Sequence, residues 1–437
     1  MSFLNSDFFL NLFKTGVTSL VVRLIGVILS LIVSIVLARF LGVDQYGEFS
    51  FVLSTLLLIS VPVQMGFPQL LIRETAKVDV SGKWEEVYSI WVWSTVCVLT
   101  ASFAVVVSIY TLAYFDAIIP DSLRPLFLVG VFIVPVLSLA RLCDSAIRGL
   151  HYILRGQLID SIVKPTALLI GIFLCFYFDF GMTSLVAIYV YVGAVFVTVL
   201  SGSIVLRYLM PHELLVPIKI RFETSKWIAA VVPLGFFSSL HIINSQVDLI
   251  MLGLLDSMEG VGVYKVAMSL AAIIGFGLQV VNTVIGPQFS KLHANGDAKR
   301  LERLFMLSIK ITVCMAIPAV LVHVFFGDHI LQILFGDRFV VGYFTLVILV
   351  VGQLLNSIIG SVGLLLNMTG HVRETLLAGV CGLLVNVILN ISLIPIWGME
   401  GAAFSSLISL MVCNILLSYF VRRQLGVSNP FMKLFNL

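Results

Sequence analysis

Ser238, His241, Ser245 and Asp248 recur at steps of three and four, so on a helix they share one face. Everything around them is apolar. An ionisable group at membrane depth is costly and by default faces a bundle interior or a wet cavity. A helix carrying this stripe therefore looks into something other than lipid. Lys265 follows at a depth matching Asp248, so the two either form a structural ion pair or hold separate roles. His241 is read as a hydrogen-bonded interior histidine or a proton relay. Asn244, Gln279, Asn282, Gln353, Asn356, Asn386 and Asn390 add amides inside apolar stretches. Asn386 and Asn390 share a face at i,i+4. Amides between membrane helices commonly act as interhelical glue, yet in a wet cavity they suit a sugar-bearing substrate. The candidate binding residues in this set are His241, Asn244, Asp248, Lys265, Gln279, Gln353 and Asn356.

A second set is cationic. Arg23 lies about eight residues into the first apolar run, roughly 12 Å from its start at 1.5 Å per residue. It either snorkels back to the interface or faces a cavity. Arg141 and Asp144 end one span, and Asp160 and Lys164 begin the next. These four read as salt-bridged helix ends, with Arg141 and Lys164 as rim cations. Arg148 and Arg155 between them read as plain topology charges.

The elements that position these residues are membrane helices. The chain has 437 residues, 60% of them hydrophobic and 11% charged, and runs of the roughly 20 apolar residues a span needs fill its length. The fold class is an all-α polytopic membrane protein. Twelve spans are predicted at 15–38, 47–67, 87–112, 125–143, 161–178, 182–206, 227–255, 261–287, 304–326, 341–368, 375–395 and 401–420. An interfacial segment at 1–14 precedes them, and a cleaved signal peptide is not expected, because the first apolar run is too long and lacks a small-residue cleavage site. Loops on one side carry Arg73 and Lys77, then Lys219, Arg221 and Lys226, then Lys291, Lys299, Arg300 and Arg303, and finally Arg422 and Arg423. Loops on the other side carry mainly acids, such as Asp44, Asp121, Asp256 and Glu400. The positive-inside rule places both termini in the cytoplasm.

The longest interior loop, 208–226, links an N-terminal bundle at 15–207 to a C-terminal bundle at 227–420, followed by a tail at 421–437. The halves are weakly alike: Lys83-Trp84-Glu85-Glu86 and Arg300-Leu301-Glu302-Arg303 both lead into a Thr-Val-Cys triplet. Six spans per half keep the halves parallel, a layout transporters use around a central cavity. Soluble-enzyme signatures are absent: there is no GxxxxGK[ST], GxSxG, HExxH or dinucleotide fingerprint. The six cysteines all fall in predicted spans with no CxxC pair, so neither a metal site nor a disulfide framework is expected.

Ala38-Arg39-Phe40-Leu41-Gly42, Tyr46-Gly47-Glu48-Phe49, Met65-Gly66-Phe67 and Arg73-Glu74-Thr75-Ala76 resemble the first two helices of polysaccharide-biosynthesis flippases. Those are the Wzx-type O-antigen and related exporters of the multidrug/oligosaccharidyl-lipid/polysaccharide superfamily. Asn386-x-x-x-Asn390, Leu393-Ile394-Pro395 and Gly398-x-x-Gly401-Ala402-Ala403 are similar to that family's last helix turn, and Asp248, Gly253 and Gly262-Val263-Tyr264 to its helix 7–8 pattern. The resemblance spans the whole chain. It implies twelve helices in two pseudo-twofold bundles around a central cavity, a MATE-like fold working by alternating access. The implied substrate is an undecaprenyl-pyrophosphate-linked oligosaccharide flipped between leaflets for surface polysaccharide such as O-antigen. The implied partners are that lipid-linked oligosaccharide, membrane lipids, a polysaccharide polymerase and a chain-length regulator, with no nucleic acid. Lipid-linked-precursor flippases of the superfamily use helix 1 arginines, and Arg23 is the matching residue, though single rather than clustered. The implied location is the bacterial inner membrane. No cofactor is implied beyond a coupling H⁺ or Na⁺ gradient. The competing readings are an ion-coupled drug or metabolite exporter of the same superfamily and a membrane polymerase; the latter lacks its customary large outer loop.

Overall fold

The computed structural model describes residues 6–77, 82, 84–115, 120–210 and 222–427; for 6–17 and for Pro233, Phe237, Ser238 and His241 it describes the backbone alone. Most of the predicted linker, the end of the predicted tail and the start of the N-terminal segment lie outside these residues. The described elements are all helical. In order they are α1 (Ser6–Gln64), α2 (Phe67–Ala76), α3 (Trp84–Tyr114), α4 (Arg124–Gly130), α5 (Ile133–Gly149) and α6 (Ile153–Leu158). A π-helical turn, Ile159–Val163, runs into α7 (Lys164–Tyr177), followed by α8 (Ser184–Leu209), α9 (Thr224–Leu255), α10 (Met258–Ala294) and α11 (Ala298–Phe335). A 3₁₀ turn, Asp337–Gly342, leads to α12 (Tyr343–Ile359), α13 (Val362–Met368) and α14 (Val372–Leu425).

Among the described residues nine helices are long and apolar enough to cross a membrane. Two of them, α1 and α14, are bent at a single glycine. Gly42 has φ 72° and ψ 178°, and Gly398 has φ 52° and ψ −128°, both in territory a glycine occupies without Cβ strain. The bends are reversals. Ser34 and Tyr46 share a 2.8 Å hydroxyl contact, although twelve residues of unbroken helix would separate them by about 18 Å. Likewise a Cβ on Gly401 would lie 2.4 Å from the Leu393 carbonyl eight residues back.

Caps fix several starts. Thr183, Ser257 and Asp297 each accept a hydrogen bond from the backbone N–H three residues on, satisfying a donor the first helical turn leaves open. The left-handed Gly426 closes α14.

Backbone contacts divide the chain into two compact units, residues 1–33 with 48–246 and residues 34–47 with 247–437. The sequence reading puts the division at 208–226; by contacts the change of unit falls inside α9, between Gln246 and Val247. The reason is local packing. In the first unit Gly66 and Gly235 approach so closely that a Cβ on either would lie 2.6 Å from the other's backbone nitrogen. The rings of Trp93 and Trp227 pack at a tilt of 51° with centroids 5.1 Å apart, so the first half of α9 belongs with α2 and α3. In the second unit a Cβ on Gly47 would fall 1.7 Å from the Met258 carbonyl, and one on Gly262 would fall 2.3 Å from the Val43 carbonyl. The Arg39 guanidinium donates to the carbonyls of Ile333 and Leu334. These contacts attach 34–47 to the second unit. Its core includes Phe289, Phe305, Leu365 and Leu366, all fully buried.

Candidate functional site

The first unit holds a cavity of about 280 Å³. Arg141, Asp144, Ser145 and Arg148, spaced three, one and three residues apart on α5, contribute one wall, and Ile159, Asp160 and Lys164 on the π turn and the start of α7 contribute another. A π turn inserts an extra residue per turn and is often found at functional sites; here it sets Asp160 and Lys164 at the cavity. The ion pairs run along each helix. Arg148 donates to Asp144 at 2.9 Å, and Lys164 donates to Asp160 at 2.6 Å. Two of the three cations are thereby matched by acids four residues away. Arg141 is not: among the described residues its half-buried guanidinium has no ion pair and no hydrogen bond. Gln64 and Gln69 also line the cavity, and each has a buried side-chain oxygen without a partner. Gln64 spends its amide N–H on Ser138 at 3.2 Å. A buried acceptor left unpaired costs about 1–3 kcal/mol, which a ligand hydroxyl would recover. The cavity thus offers two uncommitted acceptors and a cation, Arg141, that stands in the field of Asp144 and Asp160 but makes no hydrogen bond or ion pair among the described residues. That combination is suited to an anionic group carrying hydroxyls.

The second unit holds a buried carboxylate. Asp248 on α9 is 7% exposed. Its Oδ1 accepts from Asn386 Nδ2 at 2.9 Å and from Asn390 Nδ2 at 2.8 Å. Its Oδ2 accepts from the Tyr264 hydroxyl at 3.0 Å and from the Ser406 hydroxyl. Asn386 and Asn390 come from the limb of α14 before Gly398, and Ser406 from the limb after it, so the reversal at Gly398 is what closes this shell. Asn390 also donates to Asn386 Oδ1 at 3.1 Å, and its own Oδ1 is buried without a partner. A buried charge needs pairing or dense hydrogen bonding; here four neutral donors surround the carboxylate.

The expected Asp248–Lys265 ion pair is not formed. Matched depth put both residues at one level, but adjacent helical residues point about 100° apart. Tyr264 takes the direction toward Asp248, and Lys265 is left half-buried with no hydrogen bond or ion pair among the described residues. The remaining candidates are dispersed. Arg23 is exposed without a described partner, one turn from Ser19, which hydrogen-bonds Gln157 at 2.5 Å. Asn244 and Gln279 are exposed. Asn356 accepts from Asn414 at 2.9 Å as interhelical glue, and Gln353 lies 3.0 Å from where a Cβ on Gly275 would stand. The side chains of His241 and Ser238 lie outside the described residues. Arg141 and Lys164 do converge, on the first cavity. Sequence reasoning missed the unpaired state of Arg141, the roles of Tyr264 and Ser406, and the free oxygens of Gln64 and Gln69. Of the residues around Asp248, the Asn386–Asn390 repeat left a readable signal in the sequence.

Comparison with known proteins places this architecture. A family described as polysaccharide biosynthesis protein matches residues 12–293, and the MatE family matches residues 233–392. The chain is 28% identical over 177 residues to the probable low-salt glycan biosynthesis flippase Agl15 of Haloferax volcanii, covering 40% of this chain and 38% of that protein. It is 26% identical over 194 residues to the capsular polysaccharide biosynthesis protein CapF of Staphylococcus aureus, covering 44% and 48% respectively. Each match therefore spans less than half the length of the curated relative. In fold it is similar to an inward-facing multidrug resistance MATE transporter, with TM-score 0.74 and 14% identity over 94% of this chain and 98% of that one. It is also similar to the lipid II flippase MurJ in an inward closed conformation, with TM-score 0.73 and 15% identity over 92% and 87%. The all-α, MATE-like fold expected from the motifs is the fold observed, and the chain belongs to the polysaccharide biosynthesis protein family.

Proposed function

We propose that the chain is a flippase that moves a lipid-linked oligosaccharide, with a pyrophosphate linkage, from the cytoplasmic to the outer leaflet for surface polysaccharide assembly. The observation that carries this reading is the first-unit cavity, where an unpaired Arg141 lies with the unpartnered oxygens of Gln64 and Gln69. Moving a pyrophosphate and a sugar through hydrocarbon is prohibitive without such a lining. Arg141 takes the phosphate through its fork of donors, the glutamines accept from sugar hydroxyls, and Arg23 is a further cation of the same unit with no ion pair among the described residues. Relatives named as glycan and capsule biosynthesis proteins support the substrate class. Twelve crossings by alternating access fit the reversals at Gly42 and Gly398. The machinery is that of a transporter, with no chemical step assigned to the chain.

Asp248 is the residue this reading gives to ion coupling. A buried carboxylate ringed by neutral donors can take up H⁺ or Na⁺ without breaking an ion pair, and the unpartnered Asn390 oxygen supplies a further oxygen beside it.

The test is complementation of a strain lacking the gene, with lipid-linked repeat units assayed on the cytoplasmic face. Arg141→Ala should let them accumulate at normal membrane levels of the protein. Full export by Arg141→Ala would sink the reading. Restored drug resistance with no effect on glycan would favour the ion-coupled exporter, which the MATE likeness keeps as the second reading.

A further inference from the structure

Lys310 breaks a rule. It lies six residues inside the predicted span 304–326, yet it is exposed rather than turned inward. Leu307, about 60° around the helix from it, is also an exposed large apolar side chain, so cationic and apolar surface adjoin on this side of α11. Ionisable residues in spans ordinarily face the interior, and Lys310 has no ion pair or hydrogen bond among the described residues. Two further cations share its face. Taking Lys299 as zero at 100° per residue, Arg303, Met306 and Lys310 fall within an arc of about 60°. Lys299 and Arg303 are exposed and equally unpaired, whereas Arg300 on another face is bound to Asp297 at 3.2 Å. Lys299, Glu302, Arg303, Met306, Leu307 and Lys310 together line a shallow groove of about 520 Å³.

The position along the helix fits a membrane surface. The 38 residues of α11 span about 57 Å, against roughly 30 Å of hydrocarbon, so its opening turns stand in the headgroup layer. Helical side chains lean toward the N-terminus, so the Lys310 stem rises along Met306 and Leu307 toward Arg303. Arg303 and Lys310 are about 10 Å apart along the axis, and their long side chains can close on one phosphate. Glu302 leaves the groove with three cations against one acid. An unpaired cation at each end and an apolar floor between them match an anionic headgroup with its first acyl carbons. We propose that this groove binds an anionic phospholipid, its phosphate held by Arg303 and Lys310 and its glycerol backbone lying over Met306 and Leu307. The site is separate from the transport cavity and does not depend on what the protein carries.

The test uses the full chain, purified and delipidated in detergent, titrated with short-chain phosphatidylglycerol or phosphatidylcholine and read by native mass spectrometry. Phosphatidylglycerol should bind the wild type about twenty-five-fold tighter than phosphatidylcholine, at roughly a factor of five for each of the two net cations near the surface. Lys299→Gln, Arg303→Gln and Lys310→Gln combined should bring the two lipids level. Lys77→Gln, Arg155→Gln and Lys226→Gln combined remove as much charge elsewhere and should keep the preference. Lys310→Arg should also keep it, which separates loss of the site from loss of fold. The proposal is overturned if the wild type shows no preference, if the groove triple keeps it, or if the control triple loses it equally. Displacement of the lipid by inorganic phosphate alone would also overturn it, reducing the groove to a free-anion patch.

Discussion

Asn390 and Asp248, 142 positions apart in the chain, meet in a 2.8 Å hydrogen bond inside the second unit. Asn390 is fully buried, and it serves both Asp248 and Asn386. The carboxylate is thus held by both limbs of a bent helix and by Tyr264 and, among the described residues, by no cation. Asn390→Ala should lower stability by about 1–3 kcal/mol, the cost of an unpaired buried acceptor. Asp248→Asn keeps the shape and removes the charge, so the protein should reach the membrane at normal level while ion-dependent transport disappears. Transport by Asp248→Asn that still follows the ion gradient would remove Asp248 from the coupling role. Melting of the purified variants separates the two effects.

Gly42 and Gly47 are five residues apart and serve different purposes. Gly42 has a left-handed φ of 72° with nothing within 4 Å of an added Cβ. Gly42→Ala should therefore cost only backbone strain, about 1–3 kcal/mol for this φ/ψ region. At Gly47 the added carbon would meet the Met258 carbonyl at 1.7 Å. Backbone cannot rotate away as a side chain can, so Gly47→Ala should cost about 3 kcal/mol or more. The midpoints of thermal unfolding should rank wild type, Gly42→Ala and Gly47→Ala in that order. The reverse order of the two variants would show that the close approach at Gly47 is relaxed in the membrane.

The contrast between those glycines marks what was legible beforehand. The predicted span boundaries at 38/47 and 395/401 bracket Gly42 and Gly398, so the reversals followed from pattern. Azimuth was not legible. The same count that put Lys265 level with Asp248 could not tell that Tyr264, one residue earlier, pointed at it. The π turn at Ile159–Val163 has no composition signature, and without its extra residue the position of Asp160 and Lys164 at the cavity could not be derived. Arg141 read as an ordinary helix-end charge because the nearby acids seemed sufficient; only coordinates show that Arg148 and Lys164 occupy them.

Glu74, at the end of α2, connects stability to pH. Burial raises its carboxyl pKa, but hydrogen bonds from Lys77 and Arg73 outweigh this and leave it below the ordinary 4.5. A depressed folded-state pKa contributes stability that is fully present above the unfolded value and is lost as pH falls through the folded one. Thermal stability of the wild type should therefore be flat in this respect above about pH 4.5 and decline below it. Glu74→Gln should reduce that acid slope. An unchanged slope in the variant would place the acid sensitivity elsewhere.

Loop charge makes a claim about sidedness. Lys226 belongs to the basic set and Ser257 to the acidic set, at opposite ends of α9. In a cysteine-free background, Ser257→Cys should react with an impermeant maleimide added to intact cells, and Lys226→Cys only after lysis. Labelling of both from one side would end the twelve-span topology, because α9 would then not cross the membrane.

The pairing pattern in the first-unit cavity predicts an asymmetry among its cations. Arg148 and Lys164 are each bound to an acid four residues away, and Arg141 is not. If the cavity takes a pyrophosphate, Arg141 is the cation that meets it, and the other two are held back. Arg141→Lys keeps the charge but loses the planar fork that grips two oxygens at once, so partial export is expected; Arg141→Gln should export nothing. Arg148→Gln frees Asp144 and places an unmatched acid beside the substrate, so it too should impair export, for a different reason. Combining it with Asp144→Asn should then restore export, since the pair is removed as a unit. No double substitution at Asp144 and Arg148 should rescue Arg141→Gln. Export by complementation, with protein level monitored in each strain, measures all four. If Arg141→Gln exports normally while Arg148→Gln with Asp144→Asn does not, the substrate is held by the paired cations and the assignment of Arg141 fails.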